Sequence, residues 1–129
     1  MSGIKIDLSD LHAKLALIAK QQEQLAQMIA QKVALDILSG VVLGTPVDTG
    51  RARGGWMVEL GGAEPSGDGS PDKGGGGAIS AGASKIAAAK PFEQISIANN
   101  VPYIGRLNDG HSKQAPKEFI QKAIDRVIK

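Results

Sequence analysis

The sequence predicts an α+β domain: a long N-terminal helix, a small antiparallel sheet with a long Gly-rich loop, and a C-terminal helix. Three observations carry this. Apolar residues recur at helical spacing near both ends, two short central runs alternate apolar with polar, and nine of the 24 residues across 61–84 are Gly. The chain has 129 residues, the size of one domain, so 1–129 reads as a single unit.

Residues 1–8 read as an extended lead-in. Ser9 and Asp10 suit a helix N-cap, because each side chain can accept a free backbone N–H. Leu11, Leu15, Ile18, Leu25, Ile29, Val33 and Ile37 then form a helical stripe, with Gln21, Gln22, Glu23, Gln24 and Gln27 on the solvated side. Gly40 or Gly44 can end the helix, with Pro46 beyond. A helix over 10–38 would run about 43 Å. That is long for this domain, so part of it is expected to pack on a neighbouring subunit.

Residues 45–53 (TPVDTGRAR) read as a turn-rich connector, and 55–60 as a strand in which Trp56, Val58 and Leu60 alternate with Met57 and Glu59. The segment 61–84 is expected to be mobile in the free subunit, since so much Gly carries high chain entropy and little to bury. Deleting 66–77 is expected to spare the fold. Lys85 to Lys90 can make one or two helical turns before Pro91. EQISIA (93–98) alternates as a second strand, Asn99, Asn100 and Pro102 mark a bend, and Asn108-Asp109-Gly110 is a tight turn. Pro116 opens a final helix over 116–128, with Phe119, Ile120, Ala123, Ile124, Val127 and Ile128 as its apolar face.

Composition narrows the function. Of 54 apolar residues 17 are Ala, and only four residues are aromatic, so a lone subunit is expected to have a thin core and to gain stability from neighbours. A net charge of +2, with a mild basic excess after Gly105, is too small for a dedicated nucleic-acid binder. With no Cys there is no disulfide scaffold, thiol nucleophile or Cys-based zinc site. No secretory leader is evident, and no stretch approaches the roughly 18 uninterrupted apolar residues of a membrane span.

Candidate chemistry is sparse. His12 and His111 have no second ligand at metal spacing, Ser112 has no nucleophile elbow around it, and the Gly74 to Gly77 run lacks the Lys-Ser/Thr ending of a phosphate loop. Arg51 and Arg53 suit a surface ion pair or a subunit contact better than DNA phosphates. The one enzymatic motif is Asp48-Thr49-Gly50. In a small homodimeric aspartic protease two such Asp residues would share a proton and activate water. Here Gly44 and Pro46 precede it where an apolar strand belongs, and helices flank it in place of an all-β fold.

TPVDTGRARGGW (45–56), then IANNVPYIGRLNDGHSKQAP (97–116), then a closing helix resembles the minor tail and head–tail joining (tail-completion, neck) proteins of long-tailed bacteriophages, the family that includes the lambda minor tail protein Z. Each motif is short, but their order and spacing cover most of the chain. The resemblance implies a structural virion protein and not an enzyme, with no cofactor, no metal and no membrane. It implies a homo-oligomeric, six-fold ring at the head-proximal end of the tail or in the neck, assembled in the bacterial host cytoplasm. Its neighbours would be tail-terminator, tail-tube or connector proteins, and DNA would pass through the channel unread. The resemblance makes the Asp48-Thr49-Gly50 triplet architectural: Asp48 and Thr49 bond turn amides, Gly50 takes a positive φ, and Arg51 pairs with a carboxylate. Pro46, Trp56, Asn100 and Gly110 are expected to hold the scaffold or its contacts. Pro102 and Tyr103 would fix the chain where the last strand ends, and Gln114 and Pro116 would set up the final helix.

Overall fold

In the computed structural model, residues 3–19, 22–47, 49–63, 66–67, 69–110 and 118–128 are described. The elements run β1 (Ile4–Asp7), α1 (Ser9–Ala19), α2 (Glu23–Gly44), α3 (Arg51–Gly54), β2 (Trp56–Leu60), α4 (Gly76–Ala87), β3 (Ile95–Asn99), α5 (Ile104–Asn108) and α6 (Phe119–Val127). The class is α+β, as the sequence predicts, with a long helix near the N-terminus and another at the C-terminus.

The lead-in is itself a strand. β1 and β2 pair antiparallel on either side of β3, in the order β1-β3-β2. Ile97 stands opposite Ile6 and Val58, and Asn99 opposite Ile4 and Trp56. The two-residue period of a strand then places Ile6, Trp56, Val58, Ile95, Ile97 and Asn99 on one face, all buried. α2 contributes Ala34, Ile37, Leu38, Val41 and Val42 to the same core, all fully buried at helical spacing.

α4 runs antiparallel along α2: Gly75 meets Val42, Gly82 meets Leu38, and Gln31 Nε2 donates to Ile86 O at 3.1 Å. Gln27 Nε2 donates to Ala89 O at 2.7 Å just beyond. Gln27, expected on the solvated side, instead satisfies a carbonyl that follows α4, whose last carbonyls have no intrahelical partner. α6 crosses the C-terminal half of α2, with Ala123 at Gly40 and Phe119 at Gly44. Its entry is held by Asn108, whose backbone O accepts Glu118 N at 2.6 Å and whose Oδ1 accepts Ile120 N at 3.0 Å.

Four expectations need correction. The helix expected over 10–38 is two helices, α1 and α2, with 20–21 outside the described residues. The stripe takes a step of seven between Ile18 and Leu25, and α1 packs against α2. The cap of α1 is Asp7, whose Oδ1 accepts Ser9 N at 2.8 Å and also the Ser9 hydroxyl. In α2 the buried face is Ala26, Ala34, Ile37, Leu38, Val41 and Val42, whereas Leu25 and Ile29 of the expected stripe lie 43% and 36% exposed. The segment expected to be mobile over 61–84 holds most of α4, which begins at Gly76 and ends at Ala87, within the short helix expected over Lys85 to Lys90. Ala and Ile spaced along 78–86 give this helix a face to bury, which the glycine count obscures.

Gly82 separates sequence propensity from packing. Alanine in a helix interior gains about 0.8–1 kcal/mol over glycine. A Cβ at Gly82, however, would run into Leu38 Cδ2 and sit 3.0 Å from Val58 Cγ2. Overpacking costs about 1–3 kcal/mol and wins. Urea unfolding is expected to show Gly82→Ala destabilised. Gly76→Ala, in open space at the first turn, is expected to be stabilised by about 0.4–1 kcal/mol.

Candidate functional site

Among the described residues Arg53 donates the most side-chain hydrogen bonds to backbone, at the point where α2 ends and the chain turns towards β2. α2 closes on Thr45, whose hydroxyl donates to Val41 O at 2.5 Å and accepts Trp56 Nε1 at 2.8 Å. Both residues are buried, at 1% and 2% exposure, so neither polar atom could turn to water instead. Arg53 adds a second tie. Its Nη2 donates to Leu43 O at 3.0 Å and Thr45 O at 2.9 Å, its Nε reaches Thr45 O at 3.3 Å, and its Nη1 donates to Lys73 O at 3.0 Å. The guanidinium thus satisfies carbonyls freed by the end of α2 and pins the chain before α4 to the same point.

Gly50 turns the chain into α3 with φ 85°. Its carbonyl accepts Gly54 N and Asp72 N, both at 2.9 Å. A Cβ there would come within 2.7–2.9 Å of Lys73 N and the Asp72 backbone, so both space and conformation call for glycine. Asp72 in turn caps α4. Its carboxylate accepts Gly75 N at 3.0 Å, Gly77 N at 2.7 Å and Ala78 N at 3.1 Å. The Ala78 amide, opposed by partial desolvation and aided by Gly75, Gly77 and Gly74, holds the carboxyl below the usual Asp value. Residues 66–77 therefore carry the cap of α4, and their deletion is not neutral for the fold.

Asn99, at the end of β3, completes the knot: its Nδ2 donates to Ala52 O at 2.8 Å and its Oδ1 accepts Val101 N at 2.9 Å. Asn100 Nδ2 reaches Gly67 O at 3.3 Å. Tyr103, half-buried before α5, lies under the Arg51 guanidinium at 5.8 Å from ring centre to Cζ, within cation–π range. Thr49 Oγ1 accepts Arg51 N at 3.3 Å, a local turn bond.

Of the residues singled out from the sequence, Thr49, Gly50, Arg51, Trp56, Asn100 and Tyr103 belong to this neighbourhood. Pro46 follows the end of α2, half-buried, and Pro102 is exposed in the turn before α5. Gly110, with φ 95°, lies in the turn after α5 and takes no part in the knot. Asp48, Gln114 and Pro116, with His111 and Ser112, lie outside the described residues. Arg53 was expected in a surface ion pair or subunit contact and instead holds backbone carbonyls. Sequence reasoning missed the roles of Thr45, Arg53, Asp72, Asn99 and Asn108. Only Asp72 carried a usable signal, an Asp a few residues ahead of a run of small residues. Among the described residues no group of three or more His, Asp or Glu could hold a metal ion.

His12 stands apart, half-buried on α1, with its Nε2 buried and lacking a hydrogen-bond partner among the described residues. Burial pushes its imidazole below the usual value, and Asp7 opposes the shift in part.

No family model, curated protein or solved structure matches the chain.

Two measurements test the knot. Thr45→Val leaves Trp56 Nε1 a buried donor without a partner and is expected to cost about 1–3 kcal/mol in urea unfolding. Trp56→Phe removes the same bond, so the double variant should lose less than the two single losses added. For Asp72 the native pKa is depressed, so its contribution is complete above about pH 4 and is lost as pH falls through the native value. Asp72→Asn is expected to lower the melting temperature at pH 7 and to approach the parent at pH 2.

Proposed function

We propose that this chain is a structural virion protein of a tailed bacteriophage, a subunit of a six-fold ring at the head-proximal end of the tail or in the neck. The supporting observation is how the motifs of the resemblance are used. In TPVDTGRARGGW and NNVPY, the side chains of Thr45, Thr49, Arg53, Trp56, Asn99 and Asn100 bond the chain's own backbone or one another. A motif used this way encodes shape, and shape is what a ring subunit contributes to a virion. In this reading the ring joins the tail to the head connector, meets tail-terminator, tail-tube or connector proteins, and lets DNA pass without reading its sequence. Repetition of one heterologous contact closes the ring.

The test uses a phage carrying this gene with the gene disrupted. Electron microscopy of the lysate is expected to show filled heads and separate tails, and both the wild-type gene and Asp48→Asn should restore joined particles. Normal particles without the gene would overturn the reading. So would virion proteins left uncleaved by the Asp48→Asn version but processed by the wild type.

A further inference from the structure

α1 is held against the rest of the chain by few side chains. Among those described, only Leu15 is buried, Leu11, His12 and Ala16 are half-buried, and Leu17 is 73% exposed. His12 lies three residues before Leu15 and four before Ala16, so the three share one face of the helix. That face turns to an apolar cleft of about 260 Å³, whose opposite wall includes Ala26 and Ala30 of α2 and Ile95 of β3.

His12 is the discordant member of this face. Its Nε2 is buried and has no hydrogen-bond partner among the described residues. A neutral ring there leaves one polar atom unsatisfied. An imidazolium would add a charge and a second donor in the same apolar surroundings, a far larger cost.

The polar groups around the ring are committed elsewhere. Gln27 and Gln31 of α2 donate to Ala89 O at 2.7 Å and Ile86 O at 3.1 Å. Before β3, Glu93 Oε1 accepts Lys90 N at 3.0 Å, and Lys90 lines the same cleft with a charge that would repel a cation. Glu23 is exposed in the first turn of α2, where the helix dipole favours an acid. Asp10 and Lys14 of α1 lie two residues to either side of His12, so at about 100° per residue they project from the far side of the helix. Asp7 attracts a charged His12, but its Oδ1 already accepts the Ser9 amide and hydroxyl. Burial outweighs that attraction and holds the imidazole below its usual value.

We infer that α1 is an acid-released latch: with His12 neutral it lies on α2, and with His12 protonated it comes away and uncovers Ala26, Ala30 and Ile95. Released, His12 takes its proton near the ordinary value of about 6.5; docked, it takes it only at lower pH. Docking is therefore at full strength above about pH 7 and weakens as pH falls through about 6.5 toward the lowered value. The cap of α1 is not what fails in this range, because the Ser9 hydroxyl and amide hold the Asp7 carboxyl below the usual Asp value. β1 stays in the sheet, since its ladder to β3 is made by backbone. The latch stands whether or not the chain forms a ring.

Amide hydrogen exchange on the full chain at about pH 7.5 and about pH 5, corrected for the chemical exchange rate, tests this. Protection of amides 13–19 should fall severalfold at the lower pH, while Ile37, Leu38, Val41 and Val42 keep theirs. His12→Leu should abolish the difference, and His111→Gln should retain it. His12→Gln is also neutral and should behave as His12→Leu does, which covers the case that the leucine variant does not fold. If His12 titrates by NMR while 13–19 stay protected, the ring swings to solvent alone and the latch is overturned. A response that survives both His12 variants, or that His111→Gln removes, belongs to another group and overturns it too. So does loss of protection at Ile37 to Val42 together with α1, which would be global unfolding.

Discussion

The hydroxyl of Thr45 sits between the carbonyl of Val41 and the indole of Trp56, with the Arg53 guanidinium on the carbonyl of the same residue. These bonds fix where α2 stops and how the chain enters the sheet. The rest of the structure is built outward from that point. α2 supplies much of the fully buried core, β2 begins at Trp56, and the chain ahead of α4 is tied back through Gly50 and Lys73 carbonyls. A helix end is where unsatisfied carbonyls concentrate, so one Thr and one Arg placed there do more than the same residues elsewhere. Burial raises the stakes, because Trp56 Nε1, were it to lose the Thr45 hydroxyl, would have no water to turn to.

Much of this architecture was legible in the sequence. The alternating runs at 55–60 and 93–98 became β2 and β3 within two residues, because a half-buried strand imposes a period of two. The Asn108 turn and the apolar face of the last helix were legible for similar reasons. Other features were not. β1 is a four-residue strand whose partner lies some ninety residues away, and no local pattern announces such a pairing. The break between α1 and α2 was hidden because the skipped step of seven still fits a helical period. The Gly-rich segment misled most. Gly75 and Gly82 stand against α2 side chains, and Gly50 against the Lys73 amide and Asp72 backbone, so these glycines mark close packing where composition suggested freedom.

The candidate site was half legible. The motif around residues 45–56 pointed to the right place, but its emphasis fell on Asp48-Thr49-Gly50, while the bonds that bind the elements come from Thr45, Arg53, Trp56 and Asn99. Tertiary hydrogen bonds leave no periodicity, so their residues cannot be picked out by spacing. The same limit applies to the outward side of α2. Leu25 and Ile29 fit the helical stripe as well as Ile37 does, and only the fold distinguishes the apolar residues it covers from those it leaves open. That division separates the side of α2 that carries the core from the side that leaves Leu25, Met28 and Ile29 exposed.

The central claim is that Arg53 couples the end of α2 to the start of α4. Amide hydrogen exchange on Arg53→Ala tests it most directly. Protection at Asp72, Gly75, Gly77 and Ala78 should fall sharply, while amides of α6 such as Ile120 and Lys122 keep theirs. Unchanged protection across 72–78 would contradict the account, because the glycine-rich segment would then be held by something other than this tie.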